Sequence, residues 1–180
     1  MHIATGQNGY LLSNILRCSV PLEGYCYHFG CPIDSHTERN RELLDKHLKD
    51  TEDIIKKCRK FNLKLVYASS MAVCCPCSDT QYRTTKMLVE SMLDPKRDLI
   101  WRIPRVYSYD RPRGLVYELK QGLMPRPENV IQWVYLRDFL QDFVRSLDDV
   151  GIRAYKGAYH TSKVKNILDE LRELKMQFGV

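Results

Sequence analysis

Two residues with acid–base chemistry stand four positions apart, Tyr82 and Lys86. The stretch YRTTKMLVESML has helical character, so both side chains fall on one face about one turn apart. An ammonium beside a phenol favours the phenolate and lowers the pKa of the tyrosine from about 10, which makes it usable at neutral pH. Ser69 and Ser70 end the preceding apolar run, where a hydroxyl can bond the same substrate oxygen. An ordinary surface pair is the alternative interpretation.

A second candidate is the glycine turn near the start of the chain. The pattern T-G-x-x-G-x-x-L runs from Thr5 to Leu12, between the apolar HIAT and the helical YLLSNILR. Backbone N–H groups at such a turn can bind a phosphate. A purely structural turn explains the two glycines equally well. Leucine at the last position predicts looser helix packing than a third glycine would allow.

The elements that must position these residues alternate along the chain. YCYHFGCPID is β-leaning, and Ser35 with Glu38 predicts a capping box for an amphipathic helix that carries His47. LKLVYASSMAV is a near-continuous apolar run, which predicts a strand buried on both faces, and LIWRIPRV predicts another strand. This alternation predicts an α/β fold in which helices cover both faces of a parallel sheet.

The second half of the sequence predicts a smaller cap. NVIQWVYL reads as a strand, a helix follows through Leu136 to Leu147, and Thr161 or Ser162 caps a last helix. We expect a single domain over residues 1–180. We expect residues 1–107 to form its core and residues 108–180 a small cap, some elements of which return to the core.

Composition predicts a cytoplasmic globular protein. The chain has 180 residues, 44% hydrophobic and 28% charged, with no long apolar run and no signal-peptide pattern at its start. The seven cysteines are expected to be reduced thiols. CCPC offers three thiols on one short loop without a second cluster, so no metal site is expected.

The formal charge of +6 indicates an anionic partner. Basic residues concentrate between Lys96 and Arg126, which suits a phosphorylated small molecule or a nucleic acid. A solvated basic surface is the plain alternative, and no nucleic-acid motif accompanies the charge.

Six blocks of the sequence resemble, in order, motifs of the extended short-chain dehydrogenase/reductase family, which includes nucleotide-sugar epimerases and dehydratases. ATGQNGYLLSNIL resembles the family's TGxxGxxG opening. YCYHFGCPID resembles a later family strand that contains a histidine, and His28 stands at the matching position. IIKKCRKFNLKLVYASSMAV and YRTTKMLVE resemble the blocks that carry the catalytic serine, tyrosine and lysine. LIWRIPRVYS and WVYLRDFLQDFVRSL resemble two later family strands.

The resemblance implies roles for individual residues. Ser70 polarises the substrate oxygen, Tyr82 is the acid/base, and Lys86 tunes Tyr82 and holds the nicotinamide ribose. Arg105 stands at a substrate-contacting position and can grip a phosphate. The positions matching the family's NAD-binding residues are Thr5, Gly6, Asn8, Gly9, Tyr10, His28 and Lys86. We expect Arg105 at the ligand cleft, and Arg111 and Arg113 to be exposed.

The chain is shorter than the family pattern. The second strand-helix-strand unit, which carries the acidic residue for the adenosine ribose, is missing between the first helix and YCYHFG. Two hypotheses follow. One is an NAD-dependent epimerase or dehydratase acting on a nucleotide sugar by transient oxidation. The other is a non-catalytic descendant that binds a nucleotide, a protein or a nucleic acid. The resemblance also implies a homodimer, formed through the helices that bear His47 and Tyr82.

Overall fold

The computed structural model describes residues 3–6, 9–31, 41–75 and 80–178. The expected capping box of Ser35 and Glu38, the cofactor candidate Asn8, and Cys77 of CCPC lie outside these residues. The described chain divides into two compact units. The first comprises Met1–Ile103 and Ser146–Ala154, and the second comprises Pro104–Arg145 and Tyr155–Val180.

Strands and helices alternate through most of the chain. Short 3₁₀ turns at Met71–Cys74 and Val164–Asn166 complete the regular structure. In chain order the elements are β1 (Ile3–Thr5), α1 (Tyr10–Leu16), β2 (Tyr25–His28), α2 (Arg41–Lys60), β3 (Lys64–Ser70), α3 (Gln81–Met92), β4 (Leu99–Ile103), β5 (Val106–Tyr107), α4 (Leu115–Lys120), β6 (Val130–Tyr135), α5 (Leu136–Arg145), β7 (Gly151–Ala154), β8 (His160–Lys163) and α6 (Ile167–Phe178).

The first unit is built on a five-stranded sheet in the order β1-β2-β3-β4-β7, and every neighbouring pair is parallel. The central strand β3 is buried at every position except its two ends, as its continuous apolar sequence predicts. The fold is therefore the predicted Rossmann-like α/β class, in a short form. β1 is the edge strand of the described sheet, in line with the predicted loss of the unit whose strands lie beyond the first strand in the complete fold.

Alternation of side chains along β2 shows which parts of the chain cover the two faces of the sheet. Cys26 belongs to a core cluster with Cys58 of α2 and Val89 of α3, so α2 and α3 lie on that face. The next residue, Tyr27, points the other way, and its hydroxyl donates to the carbonyl oxygen of Pro21 at 2.7 Å. The segment after α1 thus covers the opposite face.

α3 begins where the sequence supplies a cap. Thr80 lies outside the helix with extended backbone, and its hydroxyl accepts a hydrogen bond from the backbone N–H of Arg83 at 3.2 Å. A partly buried ion pair helps to hold α2, because Arg59 donates two hydrogen bonds to the fully buried Asp98. These local features fix the two helices that face β3.

The second unit has a three-stranded sheet in the order β5-β6-β8, in which β5 is parallel and β8 antiparallel to β6. Its core includes Trp133 of β6, Val116 of α4, and Ile167 and Leu171 of the C-terminal region. The indole N–H of Trp133 donates to the hydroxyl of Ser162 at 3.0 Å. No helix in the described ranges has the length and apolar character that a membrane crossing requires.

Two local predictions were wrong, and one strand was missed. LIWRIPRV is not one strand, because Pro104, which has no N–H to donate, separates β4 of the first sheet from β5 of the second. Thr161 and Ser162 lie within β8 rather than capping the last helix. β7 was not predicted: it is four residues long and only partly buried, so its hydrophobic signal is weak.

Candidate functional site

Ser70 and Tyr82 meet at the carboxyl end of β3. Ser70 is the last residue of the strand, and its side-chain oxygen accepts a hydrogen bond from the backbone N–H of Ala72 at 3.2 Å. Tyr82 lies in the first turn of α3, and its phenol is hydrogen-bonded to the Ser70 side chain. Both side chains are half-buried. The fold thus brings together two of the three residues predicted to be catalytic.

The third residue, Lys86, is almost completely buried, with 3% of its surface exposed. Its Nζ donates a hydrogen bond to the backbone carbonyl oxygen of Ala68 at 2.6 Å. The same nitrogen lies 4.9 Å from the ring centre of Tyr67 and 5.7 Å from that of Tyr82. Lys86 is therefore next to Tyr82, but it faces the phenol ring while its hydrogen bond goes to β3.

The electrostatics differ from the sequence-based prediction. Burial raises the pKa of the Tyr82 phenol above its usual value, and the hydrogen bond from Ser70 only partly opposes this rise. Burial also lowers the pKa of Lys86, while Cys31 and Glu90 act in the opposite direction. The expected lowering of the Tyr82 pKa was wrong, because loss of water around the phenol outweighs the hydrogen bond from Ser70.

His28, a predicted cofactor residue, is used within the chain. It is buried at the end of β2, with Nδ1 2.6 Å from the Thr5 hydroxyl and Nε2 3.1 Å from the Thr51 hydroxyl. Burial, reinforced by His47 and Lys86, lowers the pKa of His28 to about 3. His28 is therefore neutral at pH 7, and it joins β1, β2 and α2.

His47 is a neighbour that the sequence did not single out as a site residue. It is buried on α2, with its ring centre 5.7 Å from that of His28. Burial and the nearby Lys86 lower its pKa to about 4. Within the described chain its Nε2 has no hydrogen-bond partner.

The glycine turn is closely packed against β2. Gly6 has a φ of +75°, and a Cβ at that position would lie 2.7 Å from the backbone nitrogen of Gly30. A Cβ on Gly9 would lie 2.8 Å from the carbonyl oxygen of Gly6. The chain's own backbone thus accounts for both glycines. Thr5 ends β1 beside this turn, and Tyr10 opens α1 and is half-buried.

Arg105 lies in the second unit with its side chain exposed, and its carbonyl oxygen accepts from the N–H of Val134 at 2.8 Å. Arg113 is also exposed, as expected. Arg111 is half-buried, in contrast to the prediction, because its guanidinium lies 5.6 Å from the ring centre of Tyr107 and donates to the carbonyl oxygen of Val106.

A buried ion pair behind the site was missed. Glu90 of α3 accepts two hydrogen bonds from Arg102 of β4, at 2.7 and 3.0 Å, and one from the Ser69 hydroxyl at 2.5 Å. Ser69 therefore supports the packing of α3, whereas Ser70 faces Tyr82. One signal was in the sequence: Glu90 follows Lys86 by four residues, so a carboxylate and an ammonium share one helix face.

The described cysteines are free thiols: Cys18, Cys26, Cys31, Cys58, Cys74 and Cys75. No group of three or more histidine, cysteine or acidic side chains in the described ranges is arranged to hold a metal ion.

No protein-family model matches the chain, and no curated protein matches it in sequence. Solved structures do match. A hypothetical dTDP-4-dehydrorhamnose reductase from Sulfolobus tokodaii is similar with a TM-score of 0.73 and 15% identity, covering 99% of this chain and 82% of that one. UDP-glucose 4-epimerase from Thermus thermophilus, solved in complex with NAD, is similar with a TM-score of 0.69 and 16% identity, covering 96% of this chain and 83% of the epimerase.

ADP-L-glycero-D-manno-heptose-6-epimerase from Helicobacter pylori is similar with a TM-score of 0.66 and 16% identity. The match covers 89% of this chain but only 61% of the epimerase. Identities this low describe a shared fold. The chain therefore has the fold of the extended short-chain dehydrogenase/reductase family, in a shortened form.

Proposed function

We propose that the chain is an NAD-dependent enzyme of the epimerase/dehydratase type, which acts on a nucleotide sugar through proton transfer at Tyr82. The observation that carries this proposal is the hydrogen bond between the Ser70 hydroxyl and the Tyr82 phenol at the carboxyl end of β3, beside Lys86. Open parallel sheets bind their ligands at this edge. The similar structures named as a UDP-glucose 4-epimerase and a heptose epimerase support the choice of substrate class.

The proton chemistry follows from the hydrogen bonds of Ser70. Its oxygen accepts from the N–H of Ala72, so its own O–H is available to donate to the phenol oxygen or to a substrate oxygen. Because burial raises the pKa of Tyr82, the phenol is protonated at neutral pH and can donate a proton to a substrate carbonyl oxygen. In the reverse direction, the Ser70 hydrogen bond stabilises the phenolate that accepts a hydroxyl proton.

The residues present match one half of NAD better than the other. Tyr82 and Lys86 would hold the nicotinamide ribose, and the turn at Gly6 and Gly9 would face the phosphates, where the cofactor would supply and take back a hydride. β1 is the outermost strand of the described sheet, so the described chain offers no further strand beneath the adenosine end. We expect the isolated chain to bind NAD weakly, in the high micromolar range or poorer. A homodimer through α2 and α3 would let a second chain complete the site.

The test combines calorimetric titration of NAD with turnover assays on a panel of nucleotide sugars. Tyr82→Phe should reduce turnover by roughly 100-fold or more, since it removes the proton donor and keeps the ring. Tyr117→Phe, at an exposed tyrosine of α4, is the matched control and should have no effect. Mass analysis of compounds that co-purify with the chain would identify the natural ligand. Turnover that survives in Tyr82→Phe would overturn the proposed role.

The second candidate is a non-catalytic binding protein with the same fold. The internal contacts of His28 with two threonines and of Lys86 with Ala68 favour it, because both polar residues then serve the folded core. This second candidate predicts that the chain binds a ligand without turnover, and that Tyr82→Phe leaves the binding affinity unchanged.

Arg105 is proposed to bind the phosphate of the ligand under either function. Arg105→Ala should then weaken binding of a phosphorylated ligand far more than Arg113→Ala, since both side chains are exposed and carry the same charge. Equal losses would instead indicate diffuse attraction of an anion such as nucleic acid.

A further inference from the structure

The ammonium of Lys86 lies close to two aromatic rings. Its ammonium has three N–H donors, and the hydrogen bond that the described residues show for it goes to the Ala68 carbonyl oxygen. The ring faces of Tyr67 and Tyr82 lie within cation–π distance, at 4.9 and 5.7 Å from Nζ to the ring centres. The closer ring belongs to Tyr67, a residue to which the proposed reaction assigns no role.

Tyr67 has an unusual environment for a tyrosine. It is fully buried on the central strand β3, and within the described chain its hydroxyl has no hydrogen-bond partner. Its ring centre also lies 5.5 Å from that of His28, its register partner on β2. A buried tyrosine usually finds a partner for its hydroxyl. The interaction that distinguishes Tyr67 here is therefore made by its ring, which lies against the ammonium of Lys86.

The other influences on the Lys86 ammonium act in opposite directions, and burial is the largest of them. Burial disfavours the ammonium, while Cys31 beyond β2 and Glu90 of α3 favour it. Glu90 is already paired with Arg102, so its attraction is shared. His28 of β2 and His47 of α2 have lowered pKa values and remain neutral at pH 7, so they add no positive charge.

We propose that Tyr67 is a positioning residue that keeps Lys86 protonated at neutral pH, through contact of its ring face with the buried ammonium. Replacing the ring with an aliphatic side chain would leave the ammonium buried beside apolar atoms on that side. The protonation equilibrium of Lys86 would then shift towards the neutral amine. In the proposed function this matters because a charged Lys86 next to Tyr82 is needed whenever a phenolate forms. The inference rests on the proposed function for that consequence only.

The test is an NMR titration of the lysine side chains in the full-length chain without any ligand, with the Lys86 signal assigned from Lys86→Arg. We expect Tyr67→Leu to lower the pKa of Lys86 by about one unit. Tyr67→Phe keeps the ring and should leave that pKa unchanged within error. Tyr27→Leu is the matched control, because Tyr27 is equally buried on β2 but faces the opposite side of the sheet.

Two results would overturn the proposal. One is a folded Tyr67→Leu chain in which the pKa of Lys86 does not change. The other is an equal fall in Tyr67→Phe and Tyr67→Leu, which would assign the effect to the hydroxyl. Tyr67→Met, which fills a similar volume with a flexible side chain, replaces the leucine variant if circular dichroism shows that the latter does not fold. Since no substrate is present, failure of the proposed enzyme activity would not affect this outcome.

Discussion

Lys86 of α3 is joined to Ala68 of β3 by a hydrogen bond of 2.6 Å from its ammonium nitrogen to the backbone carbonyl oxygen. The bond ties the helix that carries Tyr82 to the strand that ends at Ser70. The geometry of the candidate site therefore depends on a side chain that itself is almost inaccessible to solvent. Loss of this contact should weaken the folded chain as well as the site.

Lys86→Ala should lower the free energy of unfolding by about 1–3 kcal/mol, because it removes the partner of a buried carbonyl oxygen. The same substitution at Lys57, an exposed residue of α2, should change stability by less than about 0.5 kcal/mol. Urea denaturation at pH 7.5 measures both. Equal effects of the two substitutions would show that the contact with Ala68 contributes nothing to stability.

Acidification should destabilise the chain through its buried histidines. In the folded state the pKa values of His28 and His47 are lowered to about 3 and about 4, whereas an unfolded histidine titrates near 6.5. The unfolded chain thus binds more protons than the folded chain below pH 6.5. The stability that the two neutral histidines contribute is therefore fully present above that value. It should fall by a few kcal/mol as the pH drops from about 6.5 towards 4.

His47→Gln tests the origin of this pH dependence, since glutamine does not titrate. Urea unfolding of the variant at several pH values between 7.5 and 4.5 should give a shallower decline than the parent chain. A decline of the same slope would place the effect on other groups.

Gly6→Ala should be far more damaging than Gly24→Ala. Both glycines have positive φ, at +75° and +80°, so each alanine incurs a similar backbone cost of about 1 kcal/mol. Only at Gly6 would the new Cβ also meet backbone atoms, with Gly30 N at 2.7 Å, whereas nothing lies within 4 Å of a Cβ at Gly24. Thermal unfolding compares the two variants. A similar loss of thermal stability in both variants would mean that the backbone around Gly6 shifts at little cost to accommodate the new Cβ.

The Glu90–Arg102 pair should be strongly coupled. Arg102→Met leaves a largely buried carboxylate without its cation and should cost about 3–5 kcal/mol. Glu90→Leu combined with Arg102→Met removes both charges and should cost less than the arginine variant alone. A double-mutant cycle from urea denaturation gives the coupling free energy. The exposed pair of Glu52 and Lys56 is the control, with an expected coupling of about 0.5 kcal/mol or less.

Much of the fold was predictable because its signals are local. Continuous apolar residues mark β3, helical periodicity marks α2, and their alternation specifies a parallel sheet with helices on both faces. The position of Ser70 at the carboxyl end of β3 and the one-turn spacing of Tyr82 and Lys86 follow from the same patterns. The division at Pro104 and the short strand β7 were missed, since weak local signals cannot show which sheet a segment joins.

The residue types at the candidate site were thus determined by the sequence, and their electrostatic states were decided by the tertiary structure. Burial raises the pKa of Tyr82, and contacts with Thr5 and Thr51 engage His28 inside the core. Spacing along a helix specifies which side chains share a face. Loss of solvent and the choice of hydrogen-bond partner depend on residues far apart in the chain, which come together only when the sheet and helices pack.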